Sequence, residues 1–271
     1  MNAVVTRDPE SLLSDVLHLV TEADTAILQV YATAHAVEYK ADDSPITRAD
    51  RAAHAILSEG LRRLTPEIPV LSEESADEHA ASVRHRWHEF WLVDPLDGTK
   101  EFISRNGEFT VNVALIREHR PVLGVVSAPV LETVYYGVEG VGAFVAHAGE
   151  ATRPIHVRRP AADPVVVVGS RSHRGDSLDS VLGRIGAHEL RPMGSSLKFC
   201  LVAEGTADFY PRLGPTSEWD TAAAQAVVEA AGGAVTTLDG RPLRYNERDT
   251  LLNPNFLAFG DTAREWHRLC F

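Results

Sequence analysis

The apolar positions of this chain change period along its length, and the period predicts the elements. Leu12, Leu13, Val16, Leu17 and Val20 recur at helical spacing, continued by Ile27, Leu28 and Val30. That pattern predicts a long helix with one buried stripe. Asp8 and Pro9 suit its start, one as an acceptor at the cap and the other with φ already set for the first helical position. A second helix is predicted over 47–64, with Ala52, Ala55, Ile56 and Leu61 on its apolar side. After Pro69 the signal turns strand-like: short β-rich runs at 90–93, 110–116, 122–126, 133–136 and 143–146 are separated by Gly- and Pro-bearing turns.

The stretch 158–164, with Pro160 and Pro164, is the predicted boundary between a part spanning 1–157 and a part spanning 158–271. Beyond it, strands at 165–168, 190–193, 208–210 and 234–238 alternate with helices at 175–185, 196–204, 221–231 and 261–269. The first part therefore reads as helices packed on a largely antiparallel sheet, an α+β unit, and the second as a smaller α/β unit. The chain as a whole falls in the α/β class.

Composition narrows the function. The chain has 271 residues, 44% hydrophobic and 24% charged, as expected of a globular protein and not of a disordered or fibrous one. Thirty-eight acidic residues against 26 basic ones leave a net charge of −12. Binding to a nucleic-acid polymer or stable association with a membrane surface needs a basic face, so neither partner is expected. The first 20 residues lack a basic stretch followed by an apolar run, and nowhere do enough apolar residues run together to span a bilayer. A cytoplasmic location is expected. Cys200 and Cys270 stand far apart in sequence, which predicts neither a disulfide framework nor a thiolate metal site. The basic residues are skewed: Lys40, Lys100 and Lys198 are lysines, and the other 23 of the 26 are arginines.

The candidate chemistry is acidic. The apolar run Trp91-Leu92-Val93 delivers Asp94 at its end, and Pro95 is expected to stop the strand there. Asp97 follows, just before Gly98. Two carboxylates on one tight turn repel unless a cation shares their space, although Asp97-Gly98 alone is also an ordinary turn. Glu73 and Glu74 follow the short apolar run Val70-Leu71, Asp50 lies near the start of the second helix, and Asp220 opens a later one. Taken singly, surface acids and residues favoured by a helix start explain them. The twelve histidines are scattered, with His85 and His88 in a polar stretch that suggests a surface loop.

Taken together, the blocks 43–50, 71–75, 91–102 and 219–224 resemble, in order and spacing, the signature of the lithium-sensitive, magnesium-dependent phosphatases of the inositol monophosphatase superfamily. Blocks 40–45, 92–103, 107–112, 194–205 and 210–216 resemble one branch, the bacterial 3′(2′),5′-bisphosphate nucleotidases. The resemblance implies a layered αβαβα sandwich with two Mg²⁺ ions per site, a third during turnover being left open. It implies that Glu73, Asp94 and the Leu96 carbonyl hold one ion, and that Asp94, Asp97 and Asp220 hold the other. Such hard oxygen ligands suit Mg²⁺, and no convergent His/Cys set offers a zinc or copper site. Asp50 and Thr99, with Glu73, are implied to orient and activate the attacking water.

By the same resemblance, Glu73, Leu96, Asp97, Gly98, Thr99, Gly194, Ser195, Ser196 and Asp220 surround the phosphate that is removed. Lys198 and Arg212 would meet a second phosphate or the nucleoside. The implied substrate is a small phosphorylated nucleotide, adenosine 3′,5′-bisphosphate, hydrolysed to AMP and phosphate. 3′-Phosphoadenylyl sulfate is a second candidate, which would link the protein to sulfate assimilation. The alternatives are an inositol-1-phosphate or fructose-1,6-bisphosphate phosphatase, or a non-catalytic nucleotide-binding regulator. Monomer and homodimer are both open.

Overall fold

Helix α1 (Pro9–Thr33) starts where the sequence predicts. Asp8 caps it, its Oδ1 accepting the Glu10 N–H at 3.1 Å and its carbonyl accepting the Ser11 N–H at 3.1 Å. Its buried stripe is Leu12, Val16, Val20, Ala23, Ile27 and Tyr31. The structure, a computed structural model, describes residues 7–33, 45–171 and 176–270. Lys40 and residues 41–44 of the sequence blocks lie outside the described residues.

After α2 (Pro45–Leu64) come β1 (Val70–Ser72), a 3₁₀ turn (Glu73–Glu78), α3 (Ala81–Arg84), β2 (Glu89–Asp97) and α4 (Thr99–Ser104). Strands β3 (Thr110–Arg117), β4 (Arg120–Ala128), β5 (Thr133–Val138), β6 (Gly142–His147) and β7 (Arg153–Ile155) complete a first sheet in chain order β1 to β7. All its pairings are antiparallel except β1 with β2, which is parallel. The second half supplies β8 (Val165–Ser170), α5 (Asp176–Ile185), β9 (His188–Met193), α6 (Leu197–Ala203) and β10 (Phe209–Arg212). It continues with α7 (Ala222–Ala230), β11 (Ala234–Thr237) and β12 (Phe256–Phe259). They form a mixed sheet in the order β11-β12-β10-β8-β9.

Side-chain alternation stacks these elements into layers. In β2, Trp91 and Val93 pack with α1 and α2, whereas Phe90 and Leu92 face the opposite way, toward α6 and α7. In β8, Val166 and Val168 share that middle layer, while Val165 and Val167 pack with α5 and Trp266. The order is helices, first sheet, helices, second sheet, helix: the layered αβαβα sandwich. Helix α7 comes from the second half yet packs across β3 to β6 of the first sheet. It can do so because Gly124 and Gly137, paired in register on β4 and β5, leave a saddle for it. A Cβ on Gly124 would sit 2.1 Å from the Ala223 carbonyl oxygen, and one on Gly137 2.7 Å from the Val227 Cα.

Two expectations need correction. Pro95 does not end β2, because the register runs from Asp94↔Asn112 to Asp97↔Thr110, three residues against two. This β-bulge absorbs the proline, which has no N–H to give to the ladder. Nor does 261–269 form a closing helix: only a 3₁₀ turn at Trp266–Cys270 is present. Trp266 stacks on Phe209 at 4.6 Å between ring centroids and donates its indole N–H to the Asp261 carbonyl at 2.8 Å, so burial of the ring overrides local helix formation. Among the described residues no helix is long and apolar enough to cross a membrane. Cys200 is buried and free.

Candidate active site

Asp94 shares the strand face of Phe90 and Leu92, so the alternation of β2 drives a carboxylate into the middle layer, where it is 1% exposed. The bulge then turns the chain back. The Leu96 N–H returns to Asp94 Oδ1 at 3.0 Å, and Asp97 comes to lie opposite Thr110, whose hydroxyl is 3.5 Å from Asp97 Oδ2. Gly98 starts α4 at φ 99°, and a Cβ there would meet the Phe109 Cα at 3.2 Å, so both the conformation and the space call for glycine. Parallel pairing of Ser72 with Val93 sets the ends of β1 and β2 side by side, which brings Glu73 beside Asp94. Asp220 reaches the same region from the turn before α7, held by the Ser217 N–H at 2.9 Å from its Oδ2.

The carboxyls strongly perturb one another. Burial raises Asp94 well above the usual carboxylate range, and Asp97, Glu73, Asp220 and Asp50 add to the effect. Asp220 is pushed up to about 8, by burial first and by Asp97 next. Asp50 also rises to about 8, through burial and through Glu74 and Glu73 beside it. Glu73, on the open side of the cluster, is raised to about 7 by loss of water around its carboxyl and by Glu74 and Asp97. Asp97 is raised by burial, with Lys198 and Ser196 acting in the opposite sense. A cluster of this kind stays anionic at neutral pH only when cations share it.

The residues present suit Mg²⁺. Asp94 Oδ2 and Asp50 Oδ1 are buried with no hydrogen-bond partner, and the surrounding donors are oxygens. Among the described residues no three His, Cys, Asp or Glu side chains form a ready-made cage for an ion. Mg²⁺ needs none, since it commonly takes one or two carboxylates and completes its shell with water and phosphate oxygens. Leu96 sits in the bulge between Asp94 and Asp97, where its carbonyl can join the set.

Beside the acids lies a cleft of about 280 Å³. Asp97, Gly98, Thr99, Glu101, Ser195, Lys198, Tyr210, Arg212 and Asp220 are among the residues that line it. Lys198 is 6% exposed, and burial pushes its ammonium down to about 8 against the opposing pull of Asp97. Its Nζ donates to the Ser195 carbonyl and stands 5.6 Å from the centre of the Tyr210 ring. The structure thus brings Asp50, Glu73, Asp94, Leu96, Asp97, Gly98, Thr99, Lys198 and Asp220 to one region.

In the Gly194-Ser195-Ser196 turn, part of the expected donor set is engaged inside the protein: the Gly194 N–H goes to Glu108 Oε2 at 2.8 Å and the Ser195 hydroxyl to the Glu108 carbonyl at 2.8 Å. The Ser196 hydroxyl lies 3.1 Å from Asp97 Oδ2. Two acids, Glu101 and Glu108, escaped the sequence reading of the site, and Glu74 received no role there. Glu74 stands against Asp50, Glu101 lines the cleft, and Glu108 holds the turn. Glu101 stands in the same run as Asp97 and Thr99, in the first turn of α4. His85 and His88 are exposed, as expected of a surface loop.

Comparison with known proteins gives a consistent result. The sequence model of the inositol monophosphatase family matches residues 8–268. The 3′(2′),5′-bisphosphate nucleotidase CysQ of Salmonella typhimurium is 55% identical over 247 residues, covering 90% of this chain and 98% of that protein. The protein of the same name from Escherichia coli K12 is 51% identical with the same coverage. Among solved structures, CysQ from Bacteroides thetaiotaomicron, a bacterial member of the inositol monophosphatase family, superposes with a TM-score of 0.84 at 40% identity, covering 94% of this chain and 98% of that one. An inositol monophosphatase from Zymomonas mobilis has a TM-score of 0.78 at 24% identity, covering 98% of this chain and 99% of that one, and shares the fold.

Proposed function

The chain belongs to the inositol monophosphatase family, and on that premise we propose that it is a Mg²⁺-dependent 3′(2′),5′-bisphosphate nucleotidase. It removes the 3′-phosphate of adenosine 3′,5′-bisphosphate to give AMP and inorganic phosphate. The observation that carries this reading is the cleft itself: the acids Asp97 and Asp220 and the cations Lys198 and Arg212 line one cavity, in a chain 55% identical to a nucleotidase of that name. The acids suit cations that hold the scissile phosphate, and the two basic side chains suit a second anionic group on the same substrate. We also infer that 3′-phosphoadenylyl sulfate is accepted, that lithium inhibits, and that the enzyme serves sulfate assimilation.

Glu73, Asp94 and the Leu96 carbonyl would hold one Mg²⁺, and Asp94, Asp97 and Asp220 a second. When bound, the ions neutralise the phosphate oxygens and make a water molecule a better nucleophile at neutral pH. Asp50 accepts the proton of that water, with the Thr99 hydroxyl orienting it for in-line attack on phosphorus. The P–O bond to the ribose C3′ oxygen breaks, and the departing oxygen takes up a proton to become the 3′-hydroxyl. The Gly98 and Thr99 N–H groups face the phosphate, and Lys198 and Arg212 receive the 5′-phosphate. With the division placed between residues 157 and 158, Asp50, Glu73, Asp94, Asp97 and Thr99 come from the first part. Lys198, Arg212 and Asp220 come from the second, so catalysis needs both.

Phosphate release from adenosine 3′,5′-bisphosphate, 3′-phosphoadenylyl sulfate, inositol 1-phosphate and fructose 1,6-bisphosphate, with and without Mg²⁺ and Li⁺, tests the assignment. The adenosine bisphosphate should be preferred and should require Mg²⁺. A preference of more than about tenfold for inositol phosphate or fructose bisphosphate, roughly 1.4 kcal/mol in transition-state binding, contradicts it. Nucleotide binding without phosphate release would make the protein a regulator.

A further inference from the structure

We propose that Glu108 is a positioning residue which, through the Gly194-Ser195-Ser196 turn, fixes the spacing between Asp97 and Asp220. The proposal rests on the metal site assigned above and concerns what holds its two halves in place. Asp97 arrives with the first sheet and Asp220 with the turn before α7, from parts of the chain more than a hundred residues apart. Ser196 touches both. Its hydroxyl lies 3.1 Å from Asp97 Oδ2 and 2.6 Å from the Asp220 carbonyl. The same hydroxyl oxygen accepts the Asn112 side-chain N–H at 3.1 Å. Ser196 is 2% exposed and Asn112 is 1% exposed.

An ordinary helix cap does not account for this serine. Ser196 precedes α6, but it has helical φ/ψ and its side chain makes no capping hydrogen bond. A cap residue is extended and returns its oxygen to the first turn. Here the hydroxyl is turned away from the helix, toward the two acid-bearing segments.

The position of Ser196 is set in turn by Glu108, which lies between Gly107 and β3. Arg171, one residue beyond β8, grips the Glu108 carboxylate with a fork, Nε to Oε2 at 2.8 Å and Nη2 to Oε1 at 2.6 Å. Glu108 Oε2 also accepts the Gly194 N–H at 2.8 Å, and the Glu108 carbonyl accepts the Ser195 hydroxyl at 2.8 Å. One residue therefore holds two consecutive residues of the turn. The fit leaves no slack, since a Cβ on Gly194 would lie 2.7 Å from the Glu108 carbonyl oxygen and 2.8 Å from its Cβ. Ser195 sits at φ 38°, a left-handed conformation that a serine keeps only when its surroundings fix it. Glu108 fixes it on one side, and Lys198, donating to the Ser195 carbonyl, on the other. The force path runs from Arg171 through Glu108 and the strained turn to Ser196, and from there to both acids.

The test is a Mg²⁺ titration of the full chain, followed by the rise in melting temperature and, in parallel, by phosphate release. Glu108→Ala removes the acceptor of the Gly194 N–H and of the Arg171 fork together, and should raise the Mg²⁺ concentration for half-maximal stabilisation by about tenfold or more. Glu108→Gln keeps an acceptor for the Gly194 N–H and should stay within about threefold of wild type. This rescue separates positioning from simple loss of fold. Arg171→Met, at an exposed side chain, removes the fork and a 3.3 Å donation to the Pro192 carbonyl while leaving the Glu108 contacts to the turn in place, and should raise the midpoint by about threefold; it gives the same readout should Glu108→Ala not fold. Unchanged midpoints in the Glu108→Ala or Arg171→Met proteins overturn the proposal and leave the metal reading standing. A wild-type chain that Mg²⁺ does not stabilise overturns both.

Discussion

Replacing Gly124 by alanine asks how closely α7 must lie on the first sheet for the site to hold together. The new methyl group would stand 2.1 Å from the Ala223 carbonyl oxygen and 2.7 Å from the Ala226 Cβ, where ordinary contact begins at 3.4 Å. The neighbour is helix backbone, so no side chain can swing aside, and α7 must retreat by about 1 Å. Overpacking of this kind costs about 1–3 kcal/mol, and the upper end is expected because the retreat also loosens Ala222, Ala223 and Val227, each fully buried. At roughly 2–4 °C per kcal/mol for a domain of this size, the melting temperature should fall by about 6–12 °C. Asp220, two residues ahead of α7, moves with the helix, so half-maximal Mg²⁺ stabilisation should need more metal. Gly183→Ala is the control: it lies in α5 at an ordinary φ, and its new methyl group would meet nothing within 4 Å. It should stabilise by roughly 0.5–1 kcal/mol through helix propensity. Urea and thermal unfolding followed by circular dichroism measure both. A Gly124→Ala protein within about 0.5 kcal/mol of wild type would refute the packing argument, since ordinary surface changes fall in that range.

Further outcomes follow from single side chains. Asp208, fully buried, accepts from Arg158 Nε at 2.9 Å, the Ala162 N–H at 3.1 Å and the Val166 N–H at 2.8 Å. Asp208→Ala should cost about 3–5 kcal/mol in urea unfolding, and a loss below about 1 kcal/mol would contradict that assignment. Asp24 on α1, raised from 3.8 to about 7 by burial although the Ser127 hydroxyl donates to it, keeps its proton longer in the folded chain than in the unfolded one. Its contribution to stability is full below pH 4 and is lost as pH rises toward 7, so Asp24→Asn should gain on wild type across that window. Parallel stability curves for the two proteins would remove the effect. Lys198→Arg puts a wide guanidinium where a buried ammonium meets Ser195 and Tyr210. KM for the bisphosphate should rise by about tenfold, the effect of about 1.4 kcal/mol in binding, and an unchanged KM would show that the cleft does not discriminate between the two cations.

Much of this architecture is legible in the sequence because it rests on local rules. The alternation of Phe90, Leu92 and Asp94 against Trp91 and Val93 already fixes which way the first acid points, and the four valines at 165–168 announce a strand buried on both faces. What the sequence hides depends on partners distant in the chain. Pro95 looks like a strand end until a bulge accommodates it. Segment 261–269 looks like a helix until Trp266 finds Phe209. Strand β7 carries too few residues for a periodic signal and exists through its pairing with β6; β12, Phe-Leu-Ala-Phe, has no polar alternation and is held by its pairing with β10 and β11. The site divides in the same way: Asp94 and Asp97 stand in one run, whereas Glu108 acquires meaning only through Arg171 and Gly194, 63 and 86 residues away. Of the three lysines, Lys100 and Lys198 line the cleft, a placement that base composition alone does not explain.

The most direct test of the central claim is which phosphate leaves. Adenosine 3′,5′-bisphosphate incubated with the purified protein and Mg²⁺, and followed by phosphorus NMR, should yield inorganic phosphate and adenosine 5′-monophosphate in equal amounts. Omitting Mg²⁺ should stop the reaction. Formation of the 3′-monophosphate, or equal turnover without Mg²⁺, would contradict a metal-dependent site that holds the 3′-phosphate among the acids and the 5′-phosphate against Lys198 and Arg212.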